Sequence, residues 1–69
     1  MNYQPYKTYE LVNNKTKIVL SFQMQPTKGG GWEVLVVTVD GSEITDSPYS
    51  APAARFLWND LVNAGWVRR

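Results

Sequence analysis

The 69-residue chain has neither cysteine nor histidine. The first absence excludes disulfides, thiolate metal centres and iron–sulfur clusters. The second excludes imidazole ligands and any triad that needs a histidine base. No hydrophobic run approaches membrane-spanning length, since the longest aliphatic stretch is Val34 to Val37 and a helix needs about 20 apolar residues to cross a bilayer. Residues 1–20 lack the basic, apolar and small-residue succession of a secretory signal. A cytoplasmic location with no membrane partner is therefore expected, and the Asn14-Lys15-Thr16 acceptor pattern carries no weight without secretion.

Charge of one sign is also missing. Seven Lys or Arg stand against six Asp or Glu, for a net charge of +1, and they are spread along the chain with no basic or acidic block. Binding to nucleic acid or anionic lipid by charge alone is not indicated. The acidic residues show no pairing at catalytic or metal-ligand spacing, and Asp40 with Gly41 reads as a turn. Thr27-Lys28-Gly29-Gly30-Gly31 is glycine-rich but lacks the GxxxxGK[ST] pattern, and it opens a strand where a phosphate cradle opens a helix. A domain this small also has little room for a pocket of about 300 Å³ or more. The chain is expected to be non-catalytic, with no cofactor and no metal.

What is present is hydrophobic packing. Hydrophobic residues make up 43% of the chain and aromatic ones 13%, with Trp32, Trp58 and Trp66 offering the largest apolar areas. The length fits one domain, residues 1–69, with 1–5 as a frayed end. Tyr6 to Val12 and Lys15 to Met24 read as two strands joined at Asn13-Asn14, a pair that tolerates a tight hairpin. A two-residue turn there would set Tyr9 opposite Ile18, Leu11 opposite Thr16 and Glu10 opposite Lys17. In the second strand Ile18, Leu20, Phe22 and Met24 alternate onto one apolar face. Trp32 to Val39 is the strongest strand, and Asp40-Gly41 turns it into a shorter one at Ser42 to Asp46, with Val37 facing Ile44.

Helix signals start with Ser50 as N-cap and Pro52 in the first turn, and they stop at Gly65. At 100° per residue Ala51, Ala54, Leu57, Trp58, Leu61 and Val62 share a face. Trp66 falls where a residue past the cap folds back onto the last turn, and Trp66 to Arg69 either add a strand or hang free. The fold class is thus α+β: a four-stranded antiparallel meander followed by one C-terminal amphipathic helix packed on one face.

The third strand is apolar on both sides and the helix can cover only one. If Leu35, Val37 and Val39 lie under the helix with Leu20 and Phe22, the outer patch is Trp32, Val34, Val36 and Val19. The opposite register leaves Leu35, Val37, Val39 and Ile44 outside. The first is preferred because it exposes less aliphatic area, with Tyr3, Tyr6 or the tail as internal covers. Phe56 projects onto the polar side of the helix beside Arg55, either leaning on Pro52 and Ala53 or serving as an interface anchor.

These features point to a non-catalytic protein-interaction module, an adapter or regulator, whose partner is another protein or a second copy of the chain. Its binding residues would be Trp32, Val34, Val36, Val19 and Tyr6 on the sheet and Phe56 and Arg55 on the helix. The alternative is nucleic acid. Four strands followed by a helix resembles, in element order, the sheet-based single-stranded DNA-binding proteins. The resemblance carries no residue over; on its own terms a sheet surface with Trp32, Tyr6, Lys17 and Gln23 could stack bases and hold phosphates.

Overall fold

A computed structural model describes residues 7–69. The elements run β1 (Lys7–Val12), β2 (Val19–Pro26), β3 (Trp32–Asp40), β4 (Glu43–Ser50), α1 (Ala51–Asn63) and β5 (Val67–Arg68). All strand pairs are antiparallel, in the order β4-β3-β2-β1-β5. The α+β meander with one helix on one face is what the sequence implies. The tail adds a fifth, short strand beside β1. The frayed end expected over residues 1–5, and Tyr3 and Tyr6, lie outside the described residues.

Two hairpins differ in register from expectation, and neither difference moves a residue to the other face. Between β1 and β2 the pairs are Leu11 with Leu20, Tyr9 with Phe22 and Val12 with Val19. The connection is therefore longer than Asn13-Asn14. The Asn13 side chain accepts from the amides of Lys15 and Thr16, and Lys17 takes a left-handed φ of 66° to return the chain at Ile18. An asparagine that bonds its own following backbone favours this wider turn over the two-residue one. Glu10 consequently faces Ser21 and not Lys17. In the β3–β4 hairpin the central residues are Gly41-Ser42, with Gly41 at φ 62°, so Val39 faces Ile44 and Val37 faces Asp46. A glycine at the first central position suits the turn type that matches strand twist. Strand β4 runs on to Ser50, well past the expected Asp46.

The β2–β3 connection does decide a face. Pro26 pairs with Trp32, and Thr27–Gly31 close as a tight turn: the Gly30 amide donates to the Thr27 carbonyl, and Gly30 itself is left-handed at φ 88°. A left-handed glycine after a type I turn inserts the residue that sets this register. Even-numbered residues of β2 then meet even-numbered residues of β3, giving Leu20 with Thr38, Phe22 with Val36 and Met24 with Val34. The preferred register is overturned. Val34 and Val36 join Leu11, Leu20, Phe22 and Ala54 in the buried core under α1, while Leu35, Val37 and Val39 point the other way.

Helix α1 is delimited as its caps require. Ser50 Oγ accepts from the Ala53 amide at 3.3 Å, and Gly65 lies past the last turn at φ 104°. There the Gly65 amide donates to the Val62 carbonyl and the Trp66 amide to the Leu61 carbonyl, the paired bonds of a Schellman end. Trp66 is thereby folded back against the core beside Leu61, as its position implies. Ala54 is buried and Leu57, Trp58 and Leu61 are half-buried, but Ala51 and Val62 at the ends of the stripe are exposed.

Candidate functional site

The sheet has one face under α1 and one face that no described element covers. On the open face a single row crosses every strand: Val67, Val12, Val19, Val39 and Ile44, each directly opposite the next. Opposed β-branched residues pack well side by side, which accounts for the half-burial of Val12, Val19 and Val39 by their own neighbours. Ile44, on the edge strand, is 70% exposed. Val37, Leu35 and Pro48 extend the apolar surface along β3 and β4.

Polar groups both border and interrupt this surface, since Ser21 and Gln23 stand on the central strand β2. Gln25 donates to Glu33 Oε1 at 3.0 Å across β2 and β3, and Gln23 donates to Ser21 Oγ at 3.3 Å. Arg69 approaches Glu10 at 3.8 Å on the far edge. Both partners of that ion pair are largely solvated, so it is worth at most about 1 kcal/mol. Among the described residues no buried side-chain N or O atom lacks a partner.

The sequence-derived binding residues do not converge. Val19 lies in the open row, but Val34 and Val36 are core. Trp32 heads β3 on the helix side and is 49% exposed. Tyr6 is outside the described residues. Phe56, 72% exposed, borders a shallow hollow on the solvent side of α1 with Pro52, Arg55 and Asn59. The nucleic-acid set is scattered likewise, with Gln23 on the open face, Lys17 in the first turn and Trp32 on the opposite side. Sequence reasoning missed Val12 and Val67, and it held Leu35, Val37, Val39 and Ile44 only as the unpreferred set. The signal for the β3 set is the five-residue connection between Pro26 and Trp32, which holds three consecutive glycines.

A second feature lies on the helix side. Between the first half of α1 and strands β1 to β3 a groove of about 360 Å³ remains open. The expectation that so small a domain has little room for such a hollow is corrected. Its floor is Tyr9, Phe22, Met24 and Val34, and its helical wall is Ala51, Ala54 and Trp58. The Trp58 ring stands edge-on to Phe22 at 5.2 Å and to Tyr9 at 6.2 Å, an arrangement that fixes all three rings. Arg55 and Arg68 border the opening, and the Arg68 guanidinium lies 5.9 Å from the centre of the Tyr9 ring. Among the described residues no carboxylate lines it.

Comparison with protein-family models, with curated proteins and with solved structures yields no match to this chain.

Proposed function

We propose that the chain is a small non-catalytic protein-interaction module that associates through the open face of its sheet, with a second copy of itself as the partner. The carrying observation is the apolar row from Val67 to Ile44, continued by Val37 and Leu35, which no described element covers. A strand apolar on both sides belongs in a sheet covered on both sides, and sheets stack face to face with their side chains interleaved. Strands of six, eight, nine, eight and two residues, at about 3.3 Å per residue and about 4.8 Å apart, present roughly 500 Å². Two such faces bury about 1,000 Å² together, the least that a specific interface clears. A second copy also offers the same valine row, with Ser21 and Gln23 beside it on β2 as polar contacts. A nucleic-acid partner is less well supported, because Glu10, Glu33 and Asp46 stand on this face against Arg69.

Sedimentation across a concentration series tests the reading, using the full chain and the Ile44→Glu variant. Ile44 is too exposed to matter greatly to the fold, so the variant is expected to keep its circular dichroism while losing self-association. A wild-type chain that stays monomeric at the highest attainable concentration would sink the proposal.

A further inference from the structure

We infer that the groove between α1 and the sheet is a separate binding site for an acidic peptide segment, one that carries an aromatic side chain flanked by carboxylates. The floor and wall are apolar, and the exposed part of Tyr9 together with Trp58 offers an aromatic side chain edges and faces to pack on. The volume of about 360 Å³ suits a single large side chain with its adjoining backbone. The two charged groups at the opening, Arg55 and Arg68, are both cations, so the occupant that answers them is an anion. Guanidinium groups hold carboxylates in paired, directional bonds, and Arg68 is already oriented by its approach to Tyr9.

The groove is a trough open along one side, whereas sites for small molecules enclose most of their ligand. A chain passing along it, with one side chain inserted, fits that shape. Residues 1–6 of this chain, Met-Asn-Tyr-Gln-Pro-Tyr, precede β1 and hold aromatic rings, but they contain no carboxylate to meet the two guanidiniums. A polynucleotide would need cations beyond the groove, where α1 continues with Asn59, Asp60 and Asn63. The site is on the opposite side of the sheet from the apolar row, so it does not depend on self-association.

The experiment is a nuclear magnetic resonance titration of the full-length, isotopically labelled chain with a short peptide in which one phenylalanine is flanked on each side by glutamates. Saturable shifts are expected at the Trp58 indole N–H and the Arg55 and Arg68 side chains. Affinity should fall about tenfold in Arg55→Gln and again in Arg68→Gln, the loss of one charge-assisted contact each. A peptide with alanine in place of phenylalanine, or lysines in place of the glutamates, should not compete. The inference is overturned if the acidic peptide gives no saturable shifts, if both arginine variants bind it unchanged, or if decanoate or a single-stranded oligonucleotide binds there and the peptide does not. Binding seen only after Tyr3→Ser and Tyr6→Ser would assign the groove to the chain's own first residues instead. Ile44→Glu should leave the titration unaltered, which separates failure here from failure of the sheet-face association.

Discussion

Single residues carry unequal shares of this small domain. Leu11 is fully buried, and Trp58 touches the ring systems of both β1 and β2 while also forming one wall of the groove. Trp58→Ala should therefore lower stability by about 3 kcal/mol, a large part of what a domain of this size has, and urea unfolding followed by circular dichroism would measure it. Lys17 is the reverse case. It is the one described non-glycine residue with a left-handed backbone, a state that costs a side chain about 1 kcal/mol. Replacing it with glycine relieves that strain but widens the unfolded ensemble, so Lys17→Gly should gain roughly 0.5 kcal/mol, seen as a higher urea midpoint. A lower midpoint would mean that the Lys17 side chain makes a stabilising contact not apparent from its exposed position.

At the scale of elements, the helix ends where its glycine allows. Gly65 holds φ at 104° while both Schellman bonds form around it, so Gly65→Ala should cost about 1 kcal/mol and lower the melting temperature by several degrees. The cap at Ser50, the stop at Gly65 and the return of Trp66 were all legible in the sequence because each rests on chemistry within a few residues. The faces of β1 and β2 were legible too: the first hairpin slipped by an even number of positions, which leaves inward and outward residues unchanged. What the sequence did not yield is the phase between β2 and β3. Hydrophobicity could not choose, since Val34 with Val36 and Leu35 with Val37 are nearly equivalent aliphatic sets. The choice was made by the geometry of Thr27–Gly31, whose left-handed Gly30 adds a residue to the turn. Strand β5 stayed an open alternative for a different reason, because pairing Val67 with Val12 joins parts of the chain that are far apart in sequence.

Among the described residues one face of the sheet carries the helix and the other carries no second layer, and the open face and the groove are separated by the sheet itself. If the open face joins two copies, folding and association are linked, and the melting temperature of the wild-type chain should rise with protein concentration while that of Ile44→Glu should not. A scanning calorimeter at two concentrations decides this, and a wild-type transition that ignores concentration would separate stability from assembly. Thr27–Gly31 also has a genetic meaning. One codon gained or lost there would rotate β3 by one position, sending Val34 and Val36 outward and bringing Leu35, Val37 and Val39 under the helix. The same step would carry Glu33 beneath the helix, so the length of that turn, and no residue of β3 itself, is what keeps this carboxylate in water.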